Sequence, residues 1–95
     1  ISVDQEQRIT LFNHAAERMF GCPAPEAIGA SLDRFIPARY REAHRHHVTD
    51  FGRTGMTTRR MGRFGTIYGL RAGGEEFPVE ASISHIEVRG RKQFT

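Results

Sequence analysis

At 95 residues the chain is long enough for one small domain with a single modest core. With 38% hydrophobic and 26% charged residues it has a globular rather than a disordered composition, and no apolar run approaches the roughly 20 residues that cross a bilayer. Cys22 is the sole cysteine, which excludes an internal disulfide and agrees with a reducing cytoplasm.

The net charge of +3 is unevenly spread: from Arg39 to Arg63 seven arginines face only Glu42 and Asp50, leaving +5 there and −2 elsewhere. A basic patch attracts nucleic acid or acidic partners. No aromatic stacking series or nucleic-acid motif accompanies this one, so it reads as a solvated helix face and an exposed loop, with no nucleic-acid partner and no membrane contact expected. There is no charged-then-apolar leader. The chain begins at Ile1 and stops at Phe94-Thr95 as a new strand starts, so a piece of a longer protein is expected.

In chain order, Ile1 and Val3 alternate with polar neighbours, as do Ile9 and Leu11, which predicts two strands around a turn. Asn13 can cap a helix carrying Ala15, Ala16, Met19 and Phe20, and Gly21 can stop it. Pro23 and Pro25 open a second short helix ending at Gly29. Ser31 can cap a third, with Leu32, Phe35 and Ile36 before Pro37. A longer helix is predicted from Ala38 to about Phe51. At about 100° per residue it places Tyr40, His44, Val48 and Phe51 on one stripe, with His47 at its edge and Arg41, Arg45 and His46 elsewhere.

Gly52 to Gly62 reads as a basic connection, too polar for a core element. Phe64, Thr66, Tyr68 and Leu70 alternate as a strand, and a Gly73-Gly74 turn leads to another. On that second strand Phe77, Val79, Ala81, Ile83 and His85 share one face, and Glu76, Glu80, Ser82 and Ser84 the other. Gly90 turns the chain into a last strand from Arg91. Helices packed on one face of an antiparallel sheet would bury these stripes, an α+β arrangement over residues 1–95.

Two runs, Ile9-Thr-Leu-Phe-Asn-His-Ala-Ala-Glu17 and Tyr68-Gly-Leu-Arg-Ala-Gly-Gly-Glu-Glu-Phe-Pro-Val-Glu80, resemble conserved blocks of the PAS sensory family. Further matches are Phe20-Gly21, Glu26, Ile28-Gly29, Ile36-Pro37, Arg41, His44, Gly55 and Met61-Gly62-Arg63, so the resemblance spans the whole chain. It implies a five-stranded antiparallel sheet wrapping short helices around a pocket, with the last strand truncated here. Gly73 stands where the family has Asp, and the Asp-x-Thr exit motif is absent. The blocks are similar to PAS modules that precede histidine kinases and diguanylate cyclases in bacteria. The implied role is a regulatory module without catalytic activity, which dimerises, binds a small ligand, or both, to control a linked output domain.

The pocket expected from the helical stripe, the strand pattern and the resemblance comprises Tyr40, His44, Val48, Phe51, Arg63, Tyr68, Ala81 and Ile83. The ligand is unknown. His44 is placed like the proximal histidine of haem-binding oxygen-sensor PAS domains, which implies haem as a candidate, since neutral imidazole is a common axial ligand. The same resemblance implies that Arg63 approaches a bound gas and that Ala81 and Ile83 line the distal side. Against it, Ala81 is smaller than the bulky residue expected there, and the alternative is a hydrogen-bonded histidine at the core edge.

His44 and His47 share a helix face, but no further ligands accompany them, so no metal site is assigned. Cys22 stands in Phe-Gly-Cys-Pro, unlike the reactive cysteine of flavin photosensors, and reads as a small hydrophobe. Glu75, Glu76 and Glu80 lack a neighbouring nucleophile, and no phosphate-cradling loop or triad is present.

Overall fold

The structure, a computed structural model, describes residues 1–53, 58–60 and 67–95, with the side chains of His47 and of residues 49–53 and 58–60 outside it. Its first hairpin joins β1 (Ser2–Val3) to β2 (Ile9–Leu11), with Val3 opposite Ile9. The turn between them is held by Asp4, whose Oδ1 accepts from the N–H groups of Glu6 and Arg8, each at 2.9 Å.

Helix α1 (His14–Phe20) starts where Asn13 accepts from the Ala16 N–H, and it ends at Gly21 in the left-handed region at φ 65°. Only Ala16 of this helix is fully buried; Met19 is exposed and Phe20 half-buried, so the apolar face is narrower than the spacing suggests. Helix α2 (Ala24–Ala27) carries Pro25 in its first turn, and Ser31 caps a 3-10 turn at Leu32–Phe35. A second 3-10 turn, Ala38–Tyr40, precedes α3 (Arg41–Arg53). The helix thus starts three residues later than its sequence predicts. A 3-10 turn advances about 120° per residue instead of 100°, so Tyr40 does not continue the stripe of His44 and Val48.

The remaining strands are β3 (Thr58–Arg60), β4 (Ile67–Leu70), β5 (Glu76–Val79), β6 (Ser82–Val88) and β7 (Arg91–Phe94). Five form an antiparallel sheet in the order β2-β1-β7-β6-β3, and β4 pairs with β5 in a separate antiparallel hairpin. The strand expected through residues 77–85 is divided, because β5 pairs with β4 while β6 pairs with β3 and β7. Residues 58–60, read from the sequence as part of a connection, instead form the edge strand β3. An edge position suits them, since one side of the backbone pairs and charged side chains are tolerated there. Phe64 and Thr66, the start of the expected strand before the Gly73-Gly74 turn, lie outside the described residues.

The inward alternation on β6 holds: Ile83 is buried and His85 half-buried, while Ile86 and Val88 face outward. Val3, Ile9, Ile83 and Phe94 from the sheet join Phe12, Ala16, Cys22, Ala27, Phe35 and Val48 in one buried cluster.

Four phenylalanine rings tie this cluster to the hairpin. Phe12 stacks on Phe35 at 5.2 Å, Phe35 meets Phe20 at 4.9 Å, and Phe20 meets Phe77 edge-on at 5.3 Å. Gly69 lies opposite Phe77 on the neighbouring strand. A Cβ at Gly69 would stand 3.0 Å from both the Phe20 and the Phe77 rings. At the hairpin tip, the Ala72 N–H donates to the Phe20 carbonyl at 2.9 Å, and the Arg71 guanidinium bonds the Met19 carbonyl while covering the Phe77 ring. These contacts satisfy carbonyls that the end of α1 leaves open.

A second tie is ionic. Arg39 donates to both Glu76 oxygens, at 2.5 and 2.6 Å, and its guanidinium lies 4.5 Å over the Tyr40 ring. The bidentate hydrogen bonds from Arg39 hold the Glu76 carboxyl below its ordinary 4.5 and raise the guanidinium value further.

Two outcomes follow from these contacts. Gly69→Ala should destabilise by about 1–3 kcal/mol, because the two rings are wedged against other rings and cannot give way. Gly73→Ala should be close to neutral, since nothing lies within 4 Å of a Cβ there. Urea unfolding of both variants checks the contrast.

The Glu76 value is lower folded than unfolded, so its stabilisation is present above 4.5 and is lost as pH falls through the lower folded value. Glu76→Gln should therefore lower Tm at neutral pH, and the gap to wild type should close in acid. Thermal melts from pH 7 down to 3 read this directly.

Candidate functional site

Of the eight residues expected at the pocket, the described ones lie on the second 3-10 turn, α3, β4, the link after β5, and β6. His44 is half-buried on α3, and Val48, one turn later, is buried at 4% exposure. Ile83, on the inner side of β6, belongs to the same buried cluster as Val48, so the fold brings these two together. Ile83 is in register with Arg59 of β3 on one side of its strand. Ala81 is half-buried in the link between β5 and β6.

The two tyrosines stand further out. Tyr40 is 40% exposed beneath Arg39, and Tyr68 is 38% exposed on β4 opposite Pro78. Phe51 lies in α3 with its side chain outside the described part, and Arg63 is outside the described residues. Of the set, His44, Val48, Ala81 and Ile83 are thus the described members that are buried or half-buried, apolar apart from one imidazole.

A further inward group is His85. It is half-buried, in register with Phe94, and its ring is 5.7 Å from that phenylalanine. Its place on the strand face with Ile83 is legible from the alternation of residues 77–85.

Sequence spacing gives no sign of a second, polar feature. Gln5, Glu6 and Gln7 of the β1–β2 turn, Ser31 and Asp33 of the first 3-10 turn, and Arg45 of α3 line one surface cleft. Arg45 Nε and Nη2 both reach Asp33 Oδ2, at 2.9 and 2.7 Å. Gln7 donates from Nε2 to the Arg45 carbonyl at 3.5 Å. At the rim, Glu6 pairs with Arg91 at 3.1 Å, and Gln5 accepts from the Lys92 N–H at 2.7 Å. These partners are up to 87 positions apart in sequence, so only the closed sheet assembles them.

No group of three or more His, Cys, Asp or Glu able to hold a metal occurs among the described residues. Nor is any described helix long and apolar enough to cross a membrane.

Comparison with known proteins agrees with this architecture. A family model described as PAS domain matches residues 1–95. The chain is 33% identical over its whole length to the Sensor protein FixL of Bradyrhizobium diazoefficiens, covering 19% of that protein. It is 34% identical over its whole length to an uncharacterized protein of Azorhizobium caulinodans, covering 13% of it. The chain therefore spans less than a fifth of either relative.

Among solved structures, a PAS domain from Colwellia psychrerythraea superposes with a TM-score of 0.81 at 17% identity, over 99% of this chain and 80% of that one. The PAS domain of an HTR-like protein from Haloarcula marismortui gives 0.74 at 18% identity, over 98% and 72%. With the family model matching from end to end and the sheet and helices arranged as in these structures, the chain belongs to the PAS domain family.

Proposed function

We propose that this domain is the sensory module of a bacterial signal-transduction protein and controls a linked output domain of the histidine kinase or diguanylate cyclase type. The observation that carries this reading is the full-length match to 19% of a protein named as a sensor, which leaves most of that relative to other domains. The domain itself is regulatory and works in the cytoplasm, without chemistry of its own.

The input is a small ligand held by Tyr40, His44, Val48, Phe51, Arg63, Tyr68, Ala81 and Ile83, self-association as a homodimer, or both. A ligand shifts an equilibrium only by binding two arrangements unequally. Ile83 supports such a route, because it sits on β6, whose neighbour β7 is the central strand of the sheet. A ligand that displaces Ile83 or Ala81 loads the β6–β7 pairing and, through Phe94 opposite Val3, the β1 strand beyond. Self-association is supported by Leu11, Ile86 and Val88, which leave apolar surface exposed on β2 and β6.

In the full-length protein, a His44→Ala, Arg63→Ala double variant should lose ligand-dependent output, and wild-type signalling from it would overturn the pocket assignment. Ile86→Glu should lower the apparent mass in light scattering if the sheet face carries the dimer.

The half-buried position of His44, one turn before buried Val48, favours a second reading: a haem-based gas or redox sensor with His44 as axial ligand. The apolar surroundings of Ile83 and Val48 fit such a group, and bound haem would supply the iron that takes the gas or the electron. His44 would provide the imidazole, and Ala81 and Ile83 would keep water away. Adding haemin should then give a Soret band that His44→Ala abolishes. No His44-dependent band would leave an unidentified small ligand or dimerisation as the input.

A further inference from the structure

Residues 67–79 form a paired unit that stands apart from the main sheet. β4 and β5 pair with each other and with no other described strand, in a register running from Ile67 opposite Val79 to Leu70 opposite Glu76. None of these residues belongs to the buried cluster that joins the five-stranded sheet to α1, the first 3-10 turn and α3. Gly69 is the one buried residue of the stretch, and Ile67, Leu70, Phe77 and Val79 are half-buried.

Four contacts near its turn hold the hairpin to α1 and to the turn before α3. Phe77 meets Phe20 at 5.3 Å, and the Ala72 N–H donates to the Phe20 carbonyl at 2.9 Å. Arg71 bonds the Met19 carbonyl, and Glu76 accepts from Arg39. No member of the buried cluster takes part in any of them. At the opposite end, Glu80 and Ala81 fall between the last pair of β5, at Val79, and the first pair of β6, at Ser82.

A segment opens below the free energy of global unfolding where it buries few apolar groups and its hydrogen bonds lie near solvent. Both conditions are met here. Ala72 is exposed, and the Arg39 and Glu76 side chains are 53% and 36% exposed, so their pair is among the weaker kinds of tie.

We propose that the β4–β5 hairpin docks and undocks as one unit, with Arg39–Glu76 as its latch, Phe20 as its seat and the Glu80–Ala81 link as a joint. A ligand acts by choosing between two arrangements, and undocking supplies the second. It would shift Tyr68 and Ala81 relative to Tyr40, beside the latch. These three belong to the pocket set proposed above, but the unit is defined without that reading and its test needs no ligand.

Native-state hydrogen exchange of the 95-residue chain across a urea series is the test, because the Ala72 amide reports docking. The amide of Ile9, a buried residue whose N–H donates to the Ala30 carbonyl at 2.9 Å, reports the core. In the wild type, Ala72 should be protected, yet about tenfold or more less than Ile9 and with a shallower urea dependence. Glu76→Ala should speed Ala72 exchange about threefold, and Gly69→Ala about fivefold or more. One amide feels both distant contacts when the hairpin leaves whole. Three results would each overturn the proposal: Ala72 matching Ile9 in protection and urea dependence, an unprotected Ala72, or a substitution that leaves its rate unchanged. They correspond to opening by global unfolding, to no docking, and to fraying of the turn alone. Glu76→Ala alters an exposed pair and keeps the fold, so the test stands even where Gly69→Ala does not fold.

Discussion

Close approach of the α1 end to the β4–β5 hairpin is the contact on which the rest of this domain depends. Phe20 and Phe77 meet edge-on across Gly69, and the absence of a Cβ there lets both rings reach the strand. Phe20 also contacts Phe35, which stacks on Phe12, so one aromatic column joins the exit of β2, the first 3-10 turn, α1 and the hairpin. Offset and edge-on ring pairs add about 0.5–1.5 kcal/mol each beyond the area they bury. In a chain of this size a few such contacts are a large share of net stability.

The hairpin that this column anchors is not in register with the five-stranded sheet. β5 pairs with β4, and past Glu80 and Ala81 the chain pairs with β3 and β7 instead. Ala81 therefore stands at a joint between two paired units, next to the inner-facing Ile83. At this joint backbone pairing changes partner, from β4 before it to β3 and the central β7 after it. Arg39, bidentate to Glu76, ties the turn before α3 to the same hairpin on the surface. Val48 of α3 shares the buried cluster with Ile83 of β6 and Phe94 of β7, while the turn before α3 is tied to the hairpin.

The domain separates its chemistry by face. Among the described residues, Ile83 and His85 on β6 and His44 and Val48 on α3 are buried or half-buried, whereas the cleft beside Arg45 of α3 is built from amide, hydroxyl, carboxylate and guanidinium groups. Burial makes polar groups expensive unless they are matched. The matched ones are accordingly gathered at the turn, where Asp4 satisfies two backbone N–H groups and Asp33 holds Arg45.

Much of this was legible in residues with local effects. Asn13, Gly21, Ser31 and the Gly73-Gly74 pair act on backbone groups within a few positions, so the caps and turns follow from the sequence directly. Alternation along residues 77–85 likewise placed Ile83 inward, because a strand has a period of two whatever its partner. The α+β class and the family were readable for the same reason. Tertiary structure decided what depends on partners distant in the chain: the edge strand at 58–60, the division of β5 from β6, the exposure of Met19 and Tyr40, and the cleft of Gln7, Asp33 and Arg45. Local patterning records which side of an element is apolar. It does not record which strand will pair with it, or which polar groups a closed sheet will bring together, because those outcomes depend on the packing of the whole chain.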